Sequence, residues 1–262
     1  MASLLVDSHC HLDRLDLTPF NGELDGALDN AREHGVGHML CVCIDLEHFA
    51  DVLRPAQQHA NVYASVGVHP NEREGQEPDV ASLVELASDP RVIAIGETGL
   101  DYFRSEGDLE WQRERFRTHI AAAKQSGKPL IIHMREATAD TLRLMQEESA
   151  GDIGGVMHCF AEDWAAAKAA LDQNFYISFS GIVTFNSAKT LKQVAQQVPL
   201  ERMLVETDSP YLAPTPFRGK SNQPAYVKYV AQHIADLRGS TLEAIGEATT
   251  ENFFRLFKAA SC

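Results

Sequence analysis

Basic residues are scarce in this chain: 23 Lys and Arg stand against 37 Asp and Glu, a formal net charge of −14 over 262 residues. That surplus argues against broad, non-specific adhesion to nucleic acid or anionic membrane. It leaves room for a small cationic mouth that holds a few phosphates locally. Long apolar runs are missing as well, and none approaches the roughly 20 residues that a bilayer-spanning helix needs. The first apolar run is broken by Asp7 and carries no basic leader, so a signal peptide is not expected. The five cysteines are Cys10, Cys41, Cys43, Cys159 and Cys262. Their number is odd, and no pair has the two-residue gap of a zinc knuckle or redox motif. Reduced thiols in a soluble, cytoplasmic protein with no membrane partner are therefore expected. There is no Pro/Gly/Ser linker, low-complexity tract or abrupt change of composition, which predicts one domain over residues 1–262.

What is present is regular alternation. Short β-rich runs read as strands at Leu4 to Val6, His38 to Ile44, Val62 to Val68, Val92 to Glu97, Pro129 to His133, Gly155 to His158, Phe175 to Ser180 and Met203 to Asp208. Between and after them lie segments with helical spacing: Gly22 to Glu33, Phe49 to His59, Asp79 to Ser88, Leu109 to Gln125, Thr138 to Glu148, Trp164 to Gln173, Ala188 to Gln197, Ala225 to Leu237 and Leu242 to Phe257. Strands separated by helical crossovers pair in parallel. The length is ordinary for a single (β/α)8 TIM barrel.

The ends of those strands carry the chemistry. His9 and His11 alternate, so in an extended chain they project the same way. Glu97, His133, His158 and Asp208 each follow an apolar run. Unrelated core residues have no reason to choose that position repeatedly. Glu97 and His133 are one strand–helix unit apart, as are His133 and His158, while two units separate His158 from Asp208. Ligands from strands one, four, five, six and eight can converge only if the sheet closes. In such barrels the active site lies at the C-terminal ends of the strands, so a metal site is expected there.

The segments DSHCHLD (7–13), VGVHP (66–70), IGETGLDY (95–102), KPLIIHMR (128–135), GGVMHCF (154–160), YISFSG (176–181), VETDSPYLAP (205–214) and RGKSNQPAYV (218–227) run nearly end to end. In this order they resemble the TatD family of metal-dependent deoxyribonucleases, within the amidohydrolase-like barrels. The resemblance implies two divalent ions. His9, His11 and Asp208 would hold one, Glu97 would bridge, and His133 and His158 would complete the other. Four histidines with two carboxylates suit Zn²⁺ or Mn²⁺ better than an all-oxygen Mg²⁺ site, but the family also works with Mg²⁺, so the ion stays open.

Two ions about 3.5–4 Å apart can activate a shared hydroxide and clamp a phosphate. The activity implied is hydrolysis of DNA phosphodiester bonds, as a 3′-to-5′ exonuclease on single strands or ends. Asp208 and Glu97 are the catalytic candidates, with Asp208 either base or pure ligand. Related barrels that act on amides or phosphotriesters often bridge their metals with a carboxylated lysine, and no lysine lies near Glu97. Second-tier candidates for substrate contact are His69, Arg135, and Arg218, Lys220 and Asn222 in a proline-rich loop. Tyr102, Phe103 and Phe217 are candidates for stacking an unpaired base. Asp101 is read as orienting a cation at the mouth, Glu206 as lying behind the ligands, and Cys159 as packing. Two alternatives stay open: hydrolysis of a small phosphoester or amide on the same barrel, and a metal-stabilised binding module.

Overall fold

Eight strands supply the frame: β1 (Leu5–Cys10), β2 (Val36–Cys41), β3 (Val62–Val66), β4 (Val92–Asp101), β5 (Leu130–Arg135), β6 (Gly155–Met157), β7 (Phe175–Phe179) and β8 (Met203–Val205). The computed structural model describes residues 5–260. Leu4, expected to open the first strand, and Cys262 lie outside them. Neighbouring strands pair in parallel in the order β1 to β8. Helices α1 (Leu24–Glu33), α2 (Phe49–Gln58), α3 (Val80–Leu86), α4 (Glu110–Ser126), α5 (Thr138–Glu147), α6 (Trp164–Asp172) and α7 (Lys189–Gln197) alternate with them, and α8 (Val227–Arg238) and α9 (Leu242–Leu256) follow β8. The (β/α)8 expectation holds.

The strands are largely apolar outside their site-bearing ends because both faces are covered. One cluster takes a side chain from every strand (Val6, Leu40, Tyr63, Ile93, Ile131, Val156, Tyr176 and Leu204) and fills the barrel. Phe253 of α9, with Phe257 just beyond it, joins that cluster. A second, larger cluster lies between the sheet and the helices.

The barrel closes at the C-terminal ends of its strands. Asp208 N–H donates to His9 O at 2.9 Å and His11 N–H to Ser209 O at 2.8 Å. Side chains reinforce this seam: Asp7 accepts from Thr207 N at 2.8 Å and from Thr207 Oγ1 at 2.5 Å. Burial pushes the Asp7 carboxyl up to about 8 despite those donors.

Several strand bounds differ from expectation, among them the last strand, which ends at Val205 rather than Asp208. β3 ends at Val66, and the next residue, Gly67, passes the β4 backbone closely; a Cβ there would lie 2.6 Å from the Gly96 carbonyl carbon. β4 does not end at Glu97 but continues to Asp101. Its ladder with β5 slips between Ile95 and Thr98, so Glu97 projects from an irregularity inside the strand. β2 begins at Val36, two residues earlier than expected, and ends at Cys41, whose pairing with Cys10 is completed by Val42 N–H donating to Cys10 O at 2.8 Å. The helices agree to within a residue or two at each end, except that the segment expected from Ala225 opens as a 3-10 turn at Pro224–Tyr226.

Candidate metal centre

The end of β1 and the turn after β8 meet first. His9 Nε2 and His11 Nε2 lie 3.6 and 3.4 Å from the same oxygen of Asp208. Asp208 holds a left-handed backbone (φ 57°). Asp tolerates this region better than most residues. Its side chain, 13% exposed, reaches the mouth, whereas that of Glu97 is 4% exposed.

Glu97 lies at the middle of the cluster. Its Oε2 is 3.4 Å from His9 Nε2. Its Oε1 is 2.8 Å from His158 Nε2, 3.1 Å from His133 Nδ1 and 3.4 Å from His69 Nε2. One oxygen thus faces the β1 side and the other faces the β5 and β6 side, which is how a carboxylate shared between two cations must point. The rings of His9 and His158 stack at 3.9 Å. Both ring nitrogens of His9 are buried without a well-formed hydrogen bond, and the buried Nε2 of His158 has only the Glu97 carboxylate before it. Buried polar atoms are rarely left so; here they converge with carboxylates, and a divalent cation would satisfy them. The donor set therefore fits a metal.

The nitrogens that face away from the centre sharpen this reading. His11 Nδ1–H donates to Val42 O at 3.0 Å, His133 Nε2–H to Asp101 Oδ2 at 3.1 Å, and His158 Nδ1–H to Glu206 Oε1 at 3.2 Å. An acceptor behind the ring holds the proton there and leaves the inward nitrogen a lone pair, the usual arrangement behind metal-bound imidazoles. His69 is the reverse. Its Nδ1 accepts from Asn71 N–H at 3.0 Å, so its proton sits on Nε2, facing Glu97. His69, Glu97 and His133 are close enough to hold an ion together, yet His69 offers the centre a proton rather than a lone pair.

Proton affinities follow from this crowding. Burial pushes the Glu97 carboxyl up, but His158, His69 and His133 outweigh it and hold Glu97 well below the usual carboxylate range. Burial likewise opposes charge on His158, and Glu97 and Glu206 raise it well above an ordinary histidine. His11 and His133 are raised in the same way, against burial, by Asp208 and by Asp101 with Glu97 respectively. His9 is lowered, by burial first and then by His158. Asp208 is lowered by its histidines in spite of burial.

Several residues take places that sequence reasoning did not assign. Asp101 orients no cation. It is buried and holds His133, Asn71 Nδ2 (2.7 Å), Phe103 N and Arg104 N. Glu206 does stand behind the ligands, where it also takes Cys159 N–H at 2.7 Å. Asn71, two residues past His69, had not been singled out. Asn222, expected to touch substrate, is buried. Its amide donates to Thr207 O at 2.8 Å and Tyr211 O at 2.6 Å, so it ties the loop to the seam. Arg135 packs its guanidinium 3.9 Å from the Phe103 ring, and Arg218 packs 3.6 Å from the Phe185 ring. Lys220 is exposed in the same loop as Arg218. Phe217 is not a free platform: it stacks on Tyr226 at 4.0 Å. Tyr102 spends its hydroxyl on Asp140 at 2.7 Å.

Comparison with known proteins gives a consistent picture. A family profile described as "TatD related DNase" matches residues 6–258. The chain is 47% identical over 253 residues to the uncharacterized metal-dependent hydrolase YcfH of Escherichia coli K12, covering 97% of this chain and 95% of that protein. It is 40% identical over 256 residues to the uncharacterized metal-dependent hydrolase YabD of Bacillus subtilis, covering 97% and 99% respectively. Among solved structures, the TatD homologue YjjV of Escherichia coli superposes with a TM-score of 0.89 at 27% identity, over 98% of this chain and 99% of that one.

Proposed function

The chain belongs to the TatD family of metal-dependent hydrolases, and from that premise we propose that it is a deoxyribonuclease that trims single-stranded DNA, or frayed ends, from the 3′ side. The observation that carries this reading is the Glu97 carboxylate, which points one oxygen at His9 and the other at His133 and His158. His9, His11 and Asp208 would hold one divalent ion, His133 and His158 the second, and Glu97 would face both. Bound divalent ions supply positive charge for the phosphate in its transition state and make hydroxide available near neutral pH.

The protein's own groups do the rest. Asp208, the more exposed carboxylate, takes the proton of the attacking water. His69 donates its Nε2 proton to a non-bridging phosphate oxygen, a role its Asn71 contact prepares. Arg135, Arg218 and Lys220 would supply the positive charge for flanking phosphates. Attack at phosphorus breaks the bond to the 3′ oxygen, which takes a proton from solvent. The products are a nucleoside 5′-phosphate and a strand with a new 3′ hydroxyl. Four free thiols, Cys10, Cys41, Cys43 and Cys159, support operation in the reducing cytoplasm. Among the described residues no helix is long and apolar enough to cross a membrane.

The net charge of −14 favours a second reading, a small phosphoester as substrate. Digestion of 3′-labelled and 5′-labelled single-stranded oligonucleotides by metal-stripped protein, re-supplied with Mg²⁺, Mn²⁺ or Zn²⁺, separates the two. Stepwise, metal-dependent shortening from the 3′ end supports the nuclease. Turnover of small phosphoesters without strand cleavage selects the alternative.

A further inference from the structure

Two large apolar side chains are about half exposed among the described residues: Phe103 at 54% and Tyr211 at 49%. Single exposed aromatics are common and need no explanation. The positions of these two do. Phe103 follows Asp101, the last residue of β4, by two positions, and Tyr211 follows Asp208 by three. In a closed ring of eight strands β4 and β8 are four apart in either direction. The two exposed rings therefore stand on opposite sides of the mouth, with the metal centre between them.

Both are tethered through their backbones. Phe103 N–H donates to Asp101 at 3.0 Å, and the Arg135 guanidinium covers one of its faces. Tyr211 N–H donates to Asp208 O at 2.9 Å, its carbonyl accepts from the buried Asn222, and its ring stands 5.9 Å from that of His11. Each ring thus hangs from a residue that also shapes the centre. An arginine on an aromatic face keeps outward N–H donors free for a phosphate, so Phe103 and Arg135 together present a surface for a base and its phosphate.

We infer that Tyr211 and Phe103 are stacking platforms for the two bases that flank the phosphate under attack, one on each side of the metal centre. The inference rests on the nucleic-acid reading above and deepens it. Stacking on a side chain needs the face of a base, which a duplex buries between neighbours; both flanking nucleotides must then be unpaired. Selectivity for a frayed strand would lie in these rings, and the base identity would matter little because every base has a π-face.

The test uses two strands and two readouts. One oligonucleotide is intact; the other is abasic at the two nucleotides flanking the cleaved phosphate. On the intact strand, Tyr211→Ala and Phe103→Ala should each raise KM about 5- to 150-fold, with a smaller change in kcat. Tyr211→Trp and Phe103→Tyr should restore it. Wild type should show a similar KM penalty on the abasic strand, where the effect of each substitution collapses. Binding is read separately, with chelator present, as quenching of 2-aminopurine placed at the flanking positions; each alanine substitution should reduce it. Unchanged KM with undiminished quenching overturns the platforms while leaving the nuclease standing. An equal loss on both strands overturns them too, since the rings then act through the fold. No cleavage by wild type, with quenching that depends on the rings, overturns the nuclease and upholds the platforms. Neither cleavage nor quenching overturns both.

Discussion

Replacing Asp101 by Asn should disable His133 without removing it. Asp101 accepts four hydrogen bonds: from His133 Nε2 at 3.1 Å and Asn71 Nδ2 at 2.7 Å on one oxygen, and from Phe103 N at 3.0 Å and Arg104 N at 3.2 Å on the other. An asparagine has one oxygen and one NH2. If the oxygen keeps the two backbone donors, the NH2 faces His133, whose Nε2 must then accept. Its proton moves to Nδ1, the nitrogen 3.1 Å from Glu97 that faces the centre, and the lone pair meant for an ion is gone. If the oxygen turns to His133, two backbone N–H groups confront the NH2 instead, at about 1–3 kcal/mol for each donor left unmet. Losing a partner behind a ligating histidine typically weakens metal binding 10- to 100-fold, or about 1.4–2.7 kcal/mol. Calorimetric titration of Mn²⁺ or Zn²⁺ into Asp101→Asn, with its melting temperature recorded beside the wild type, reads this directly. Wild-type affinity for every ion bound would refute the argument that the outward nitrogens decide which lone pairs reach the centre.

Other contacts already described carry outcomes of their own. His11, His133 and His158 are raised above an ordinary histidine, and a ligating nitrogen must shed its proton. Loading should therefore release protons at neutral pH, and affinity should strengthen as pH rises through and beyond the ordinary histidine value; titrations in buffers of different ionisation enthalpy that show no proton release would contradict this. In metal-free protein those raised imidazoles add stability below the ordinary histidine value and lose it as pH climbs through their folded values. Phe253→Ala should open the core joined by α9 at a cost of about 3–5 kcal/mol, seen as a melting temperature lower by roughly 10 °C; an unchanged melting temperature would mean that the ring does not fill the barrel. Asn222→Ala strands the carbonyls of Thr207 and Tyr211 and should cost about 2 kcal/mol of stability and lower activity by loosening the Asp208 turn; a variant as stable and active as wild type would remove Asn222 from that role.

Much of the site was legible because strands have a period of two and barrels present their C-terminal ends to substrate. His9 in β1 and His11 just past its end announce one face of the extended chain, and the apolar runs before Glu97, His133, His158 and Asp208 place four more groups at one end of the barrel. What lies behind those groups was not legible. Asp101 meets His133 only because β4 runs on past Glu97 and pairs with β5 to the level of Arg135; read locally, it looked like a partner for a cation. Asn222 looked like a substrate contact because it shares a loop with Arg218 and Lys220, and only its burial shows that its amide is spent on two carbonyls. The aromatics divide in the same way. Phe217 is consumed by Tyr226, Phe103 remains open, and Tyr211, hidden in a ligand motif, was not weighed as a platform.

The most direct test of the two-ion account is metal content measured alongside turnover. Wild-type protein and its Glu97→Ala and Asp208→Asn variants would be dialysed against Mn²⁺, weighed for bound ions by mass spectrometry, and given a 3′-labelled single strand. The account predicts two ions per wild-type chain, strand cleavage that appears only as the second ion loads, fewer than two ions in Glu97→Ala, and no cleavage by either variant. Two ions and undiminished cleavage in Glu97→Ala would contradict it, as would cleavage by wild-type protein stripped of metal.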